Sequence, residues 1–475
     1  MRQHAIKLLI LLLFYSNSGY CVIITKDNII TDKNIQLSVS GMTAIEEGQF
    51  VESHHDTLVG NNGNQPMWVP SPGPIWLHRA YARLTFDAFV QDRLHIIVSP
   101  EVKLYVDSYP LEEAPSPKNS YFFSQRSFVD IADGEGIYSF GDLNKPFLQF
   151  VAGVFPYKYD PDATNLGEYL FRSGCYPPYL LTSFDEPYAR LSGLQLKFNP
   201  MENLKFDVLL TTETQVQPLY DWSLSFISEY KISSFLDVGA GVSFNRLFSV
   251  FNDVTTPTTP STGSTIGNEY MTASGDSSYY SFKGTKLMGM LSIDPKKLLP
   301  PNLADIFGKE DCKIFGEAAV LGIKDYPAYK YRNPNIGDST LILDSLNNYY
   351  GNILNRIPIM FGLNVPTFKW LDILSIQGEW YGWPYMDAFY YVNTAGINAT
   401  PIPRYIGYTR DDYKKDNWKW SVYAKKTLAQ HFSIIGQMSR DHTHHDIYFE
   451  AAEDDNEVFT RTNEWGWWMK LQYNF

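Results

Sequence analysis

Apolar residues recur at every second position through much of the chain. Between positions 76 and 90, Trp76, Ala80, Ala82, Leu84, Phe86, Ala88 and Val90 fall on one side, opposite Arg79, Tyr81, Arg83, Thr85 and Asp87. A tight turn at Gln91, Asp92 and Arg93 follows. Then Leu94, Ile96, Val98, Val102, Leu104 and Val106 alternate with His95, Ser99, Glu101, Lys103, Tyr105 and Asp107. Period two with one apolar face predicts β-strands that each have one side in an apolar medium. The same pattern predicts strands at 35–45, 147–155, 189–198, 204–213, 222–230, 236–245, 280–293, 313–323, 356–365, 371–383, 418–426, 432–441 and 465–475. Segments 189–198 and 280–293 alternate poorly, which points to bulges.

The connections carry a second pattern. Counting back from the last strand, 442–464, 384–417, 324–355 and 246–279 are long, whereas 427–431, 366–370, 231–235 and 199–203 are short. The exception among the short ones is 294–312, with Lys296, Lys297, Pro300 and Pro301, which is expected to hold one short helix. An up-and-down sheet keeps this parity to its first strand only if a further strand lies between Asp107 and Phe147, and 121–131 is the candidate. The count becomes 16, with 14 and 18 as alternatives, and about 28 residues fall to each strand with its connection, a spacing that suits a large barrel. No run of about 18 apolar residues follows position 21, so a helical membrane span is excluded. Only a closed barrel satisfies its backbone in lipid without helices. The expected fold is therefore all-β, a transmembrane antiparallel β-barrel over 35–475 with long extracellular loops. A soluble exported multi-sheet protein is the competing reading of the same strands. Trp76, Trp222, Trp380, Trp418, Trp420, Trp465 and Tyr473, near strand ends, favour the barrel because aromatic girdles sit at membrane interfaces.

The two ends of the chain add chemistry. Arg2, His4 and Lys7 precede the apolar run 8–14, and Ser16, Ser18, Gly19 and Cys21 follow. Residues 1–21 are thus expected to be a signal peptide for Sec export, with 22–34 a short periplasmic extension. A lipidated Cys21 is the rival, disfavoured by the bulky Tyr20. At the other end Trp465, Trp467, Met469, Leu471, Tyr473 and Phe475 form a purely apolar face. This ending resembles the last strand of Gram-negative outer-membrane β-barrel proteins. The resemblance implies that Tyr473 and Phe475 belong to the signal read by the barrel assembly machinery, and that lipid and lipopolysaccharide surround the protein.

In strand number, leader and last strand the chain is similar to porins. The resemblance implies passive diffusion of small hydrophilic solutes or ions, no enzymatic activity and no cofactor, and it admits a homotrimer. It also implies that the third external loop folds inward. That loop, 158–187, carries Asp160, Asp162, Glu168 and Arg172, which form the candidate constriction. On the polar strand faces Arg79, Arg83, Lys103, Lys419, Lys425 and Lys470 form a candidate basic stripe across from those acids, and charge rings of this kind select ions. Single charges of the set would otherwise neutralise one another across strands. Tyr81, Tyr105, Tyr381, Trp383, Tyr423 and Trp468 share the polar-face parity and offer a weaker candidate, a stacking track for sugars. The alternative function is a barrel with a plugged lumen that works as a surface, structural or adhesion protein.

Composition removes other classes. With 52 acidic and 39 basic residues the formal charge is −13, and loss of Arg2 and Lys7 makes it −15, so a nucleic-acid partner is not expected. A mean hydropathy of −0.24 suits strands that each turn half their residues to water. There is no G-x-S-x-G, H-E-x-x-H or phosphate loop. The run Asp441 to Asp446 holds His442, His444 and His445 and is a weak metal candidate, because it is expected to lie in a flexible external loop. The Thr, Ser and Pro-rich stretch 252–277 reads as a mobile loop. Cys175 is placed outside and Cys312 at the periplasmic rim, too far apart for a disulfide.

Overall fold

The computed structural model describes residues 30–32, 35–52, 55–61, 66–71, 75–110, 121–172, 179–180, 189–212, 220–248, 250, 266–281, 283–333, 335, 337–344, 351–380, 418–444, 459 and 463–475. Sixteen antiparallel strands close on themselves. They are β1 (Ile35–Glu52), β2 (Ile75–Val90), β3 (Leu94–Pro110), β4 (Tyr121–Gly141), β5 (Pro146–Tyr157), β6 (Ala189–Met201), β7 (Leu204–Thr212) and β8 (Trp222–Ser233). The circuit continues with β9 (Leu236–Phe248), β10 (Gly284–Ile293), β11 (Ile314–Val320), β12 (Ile359–Asn364), β13 (Ile373–Trp380), β14 (Trp418–Leu428), β15 (Phe432–Arg440) and β16 (Trp465–Asn474). Each pairs with its sequence neighbours, and β16 pairs with β1, so the main sheet has no free edge. The strand between Asp107 and Phe147 that parity demanded is β4, which begins at Tyr121 as expected and runs ten residues further, to Gly141.

Side-chain alternation fixes which face is which. Along β12, Ile359, Phe361 and Leu363 are exposed while Met360, Gly362 and Asn364 are buried. Along β16, Met469 is 43% and Leu471 38% exposed, while Trp468 and Lys470 are at 1% and 0%. The apolar row therefore looks outward and the polar row looks into the barrel. This inverts the arrangement of a water-soluble protein, where the apolar face would be the hidden one.

The turns follow from local backbone chemistry. Gln91 and Asp92 sit at φ 51° and 58°, and Ala429 and Gln430 at φ 50° and 67°. Paired left-handed residues make the turn whose twist matches right-handed strands. The long internal connection, residues 294–313, holds a 3-10 turn, Pro295–Leu298, and a one-turn helix, Pro301–Ala304. Two details differ from the sequence expectation. The strand expected at 280–293 enters the barrel only at Gly284 and is straight. Ser277–Ser281 instead joins Ile266–Met271, Tyr329–Asn333 and Asp338–Leu343 in a separate four-stranded sheet built from two external loops. The irregularity of β6 lies at its end, between Phe198 and Met201, beyond the expected strand 189–198. Residues 1–29, the expected leader and most of the extension, and 252–265 of the Thr-rich stretch lie outside the described residues, whereas Ile30–Asp32 pairs with the start of β1.

The circuit closes at the C-terminus. Gly41 and Phe475 exchange two backbone hydrogen bonds of 2.9 Å each, and the Phe475 ring covers Gly41. A Cβ on residue 41 would lie 2.4 Å from the ring and 2.9 Å from the Arg83 carbonyl oxygen. Overpacking of this kind costs about 1–3 kcal/mol. Gly41→Val should accordingly lower the fraction of chains that show heat-modifiable gel mobility after refolding. Unchanged mobility and yield would contradict the role given to this seam.

Candidate functional site

The inward faces of the strands form a wall, and chain segments from the long-loop end fold down onto it. The first segment leaves β5 at Lys158, runs to Glu168 and ends in a one-turn helix, Tyr169–Arg172. Short polar side chains and glycine shape it. The Asp160 carboxylate accepts hydrogen bonds from the N–H groups of Asp162 and Ala163, at 3.0 and 3.3 Å, an Asx turn. Glu168 accepts from the N–H of Asp160 at 2.5 Å and of Tyr159 at 3.4 Å. Gly167 and Glu168, at φ 86° and 61°, turn the chain into the helix.

Two strands on the far wall hold this loop. Glu317 of β11 accepts the N–H groups of Glu168 (2.6 Å) and Tyr169 (3.0 Å) and the Tyr159 hydroxyl (2.6 Å), so one carboxylate serves donors at the start of the helical turn. Gln377 of β13 accepts the N–H groups of Asn165 and Leu166, at 2.9 and 3.0 Å. Asp162 ion-pairs with Lys313 at 2.7 Å and accepts from Ser292. Leu166, Leu170 and Phe171 are fully buried against an apolar wall of Leu209, Ile227, Met288, Phe315 and Met360. Leu170 comes so close to β9 that a Cβ on Gly241 would lie 2.7 Å from its Cδ1. One part of the lumen is thus a small hydrophobic core, whereas the alternation alone had implied polar walls throughout.

A second segment enters after β15. Asp441 accepts from Asn165 of the first loop, from Ser439 at 2.9 Å and from the Thr443 N–H at 3.1 Å. His442 meets Glu379 of β13 at 2.5 Å, and the other oxygen of Glu379 accepts the Tyr169 hydroxyl at 2.8 Å. Glu379 therefore clasps the two inward segments together. The start of the loop expected to be flexible and solvated at these histidines is packed inward. His442 is buried on the clasp, and Thr443–His444 pairs in parallel with Tyr179–Leu180. His445 lies outside the described residues, among which no group of three metal-ligating side chains occurs. Farther along the same loop, Phe459 packs edge-on against Phe50 and Trp468, and its carbonyl accepts from Lys419 at 2.6 Å.

The candidate basic stripe is distributed among acids. Arg83 and Lys103 converge on Glu101, at 2.9 and 2.6 Å, where Arg190 joins them at 3.2 Å. Glu46 stands in register between Lys470 and Arg79 on its two neighbouring strands, and Tyr81 donates to it. Lys470 lies over the Tyr81 ring at 4.9 Å. Lys425 is half-buried opposite Ile373 and Ile435. Arg83, Lys103, Arg79 and Lys470 thus share one arc of wall, while Lys419 is drawn to the last loop. Of the candidate constriction residues, Asp160, Asp162 and Glu168 lie in the inward loop, and the Arg172 side chain lies outside the described residues. Of the aromatic track, Tyr81, Tyr423 and Trp468 are buried on the inner wall, whereas Tyr381 and Trp383 fall outside the description. Cys312 is a free thiol, and Cys175 is outside the described residues.

Exposure grades along the barrel. Toward the short-turn end Thr85, Asp87, Gln149, Lys197 and Lys425 are partly open to solvent. At mid-height and above, Glu46, Lys286, Glu379, Lys419 and Lys470 are all but inaccessible. Asn364, Ser375 and Ser433, near the same end, are buried, so part of the lumen wall is packed there too. Tyr159, Tyr169, Phe459 and Asp441 in its wedge were invisible to strand periodicity, because loops carry no parity that says which way they fold. Glu317 and Glu379 were on the polar-face parity and could be found.

Two tests address the inward loops. Glu379→Ala leaves the Tyr169 hydroxyl and His442 without their shared acceptor, a loss of about 1.5–3 kcal/mol for a bond to a charged group. Amide exchange at Asn165, Leu166 and Tyr169 should speed up by roughly tenfold or more while strand amides stay protected; equal exchange would remove the clasp. Burial pushes the Asp160 carboxyl up to about 6, the N–H of Asp162 pulls it partly back, the Asp162 charge raises it and Lys158 lowers it. A raised carboxyl pKa means that the packed loop binds a proton the open loop would release. Its packing should strengthen as pH falls through about 6 and weaken above it. A spin label on Pro161→Cys should become less mobile between pH 7 and pH 5, and Asp160→Asn should flatten that step; an unchanged step would show that Asp160 does not set the packing of the loop.

No family model matches the sequence, and no curated protein matches it. Solved structures similar to the chain include a mutant porin of Rhodopseudomonas blastica (TM-score 0.39, 8% identity, 92% of this chain and 100% of that one). They also include OmpF of Salmonella typhi in complex with daunomycin (TM-score 0.42, 10% identity, 94% and 99%) and OprB of Pseudomonas putida (TM-score 0.43, 8% identity, 92% and 94%). The chain's own strand pairing makes it a closed 16-stranded antiparallel β-barrel.

Proposed function

We propose that this protein is a porin-like outer-membrane channel that passes small hydrophilic solutes or ions by passive diffusion, with residues 158–172 as its constriction. The observation that carries the reading is the combination of an outward apolar band, an inward polar wall and a loop folded against that wall. An outward band of Leu, Phe, Ile and Trp is stable in lipid and unfavourable in water. On this reading the short turns face the periplasm and the long loops face outside among lipopolysaccharide. The strand ending in Tyr473 and Phe475 serves insertion by the assembly machinery, and export follows the leader. A homotrimer is compatible with the barrel, and no reaction is assigned to it.

Near-complete burial of Glu46, Lys286, Glu379, Lys419 and Lys470 at mid-height favours a second reading, a plugged barrel whose loops do the work. Purified protein in planar bilayers separates the two. Stepwise conductance that increases in Glu379→Ala supports a constricted pore, while silence of both proteins at high dose supports the plug. Because Glu101 sits among Arg83, Lys103 and Arg190, charge selectivity should be weak in the parent. Arg83→Ala with Lys103→Ala should shift the reversal potential in a salt gradient toward cations, and Glu101→Gln should shift it toward anions. No shift in either would dissociate this charge group from the permeation path.

A further inference from the structure

Two neighbouring connections at the short-turn end, 294–313 and 365–372, expose an apolar patch that neither the barrel wall nor the lumen uses. Leu298, Leu299, Leu303, Ile306, Phe368 and Trp370 are between 40% and 83% exposed, Trp370 the most. The tight turn Gln91 to Arg93 at that end is polar, and the turns at 142–145, 231–235 and 427–431 carry only single exposed apolar side chains, Leu143, Ile232 and Leu428. The patch is also rigid. Asp311 accepts from the N–H groups of Gly308 (2.8 Å) and Phe368 (2.9 Å) and from the Thr367 hydroxyl (3.2 Å), which ties the two connections together. Phe307 stacks on Phe368 with ring centroids 5.5 Å apart, and Lys369 donates to the Asp305 carbonyl. Lys296 donates to the carbonyls of Lys309 and Asp311, at 2.6 and 2.9 Å.

We propose that this patch is a foot that rests in the headgroup region of the periplasmic leaflet, binding phospholipid and anchoring the barrel at β10–β13. The inference rests on the outer-membrane reading above. Continuity chooses the occupant: directly above the connections, the outward faces of β10, β11 and β12 present Leu291, Ile314 and Leu363, with Ile314 and Leu363 cross-strand partners. The patch prolongs that lipid-facing band past the last strand residues. Its make-up is interfacial, a tryptophan and aliphatic side chains beside lysines, and tryptophan with long basic side chains settles where hydrocarbon meets headgroups. Acids balance the lysines of the first connection, with Asp294 beside Lys296 and Lys297 and Glu310 beside Lys309. The attraction is thus apolar, and anionic lipid is not required.

The test uses the full-length barrel with Cys175 and Cys312 replaced by serine, reconstituted in phosphatidylcholine vesicles. A fluorophore on Leu303→Cys should blue-shift on reconstitution and lose intensity with lipids brominated near the top of the acyl chain, while aqueous iodide leaves it little changed. A second label on Phe361→Cys, on the outward face of β12, reports the barrel itself. Lipid quenching at 361 with iodide quenching at 303 overturns the foot and leaves the barrel standing. Iodide quenching at both positions overturns the membrane reading. Placing the label instead on the polar turn, at Asp92→Cys, should give iodide quenching; lipid quenching there equal to that at 303 would show that the whole rim is immersed and would overturn a dedicated foot.

Discussion

Every backbone N–H and C=O in a sheet that faces an apolar medium must find its partner within the sheet, because no water is present to replace it. That requirement makes the junction of the first and last strands the hinge of the architecture. β1 joins β16 through a ladder from Met42–Asn474 to Glu52–Trp465, and the Gly41–Phe475 pair continues it to the last residue. Glycine is needed at 41 because the terminal ring lies on that backbone. Without the junction, two long strands would present unpaired edges, and the outward band of apolar side chains would have no enclosed opposite face.

Closure creates a second problem. A ring of 16 strands encloses more space than its own side chains fill. This chain fills much of it with its loops. The apolar residues of 158–172 replace solvent on one arc of the wall, and Glu317, Gln377 and Glu379 supply the acceptors that the loop backbone and Tyr169 need. On the other arc charges are buried in mixed-sign groups around Glu46 and Glu101. Isolated buried charges cost several kcal/mol each, and groups of opposite sign with added hydrogen bonds offset much of that cost. The basic side chains of the candidate stripe thus stand among acids on the same face.

The Glu379 clasp joins two inward segments 273 residues apart in sequence, through Tyr169 and His442. The strands form a continuous hydrogen-bonded frame, whereas these loops are held by a few side-chain hydrogen bonds.

Strand existence, number and facing were legible because period two is a local property and membrane-type burial makes it strong: Ile359 to Asn364 and Trp465 to Phe475 show it without interruption. The even parity even located β4, whose own alternation is weak. Loop direction was not legible. Nothing local distinguishes Asp441–His442 in a solvated turn from Asp441–His442 locked on Glu379, because the partner lies on another strand and the apolar wall that receives Leu166 and Leu170 exists only after closure. The sequence by itself determined strands with one apolar and one polar face in an even number, since alternation and loop parity are local properties, and the aromatic strand ends favoured closing them into a barrel. Only the tertiary structure decided what occupies the inside, since that depends on contacts between segments that alternation does not connect.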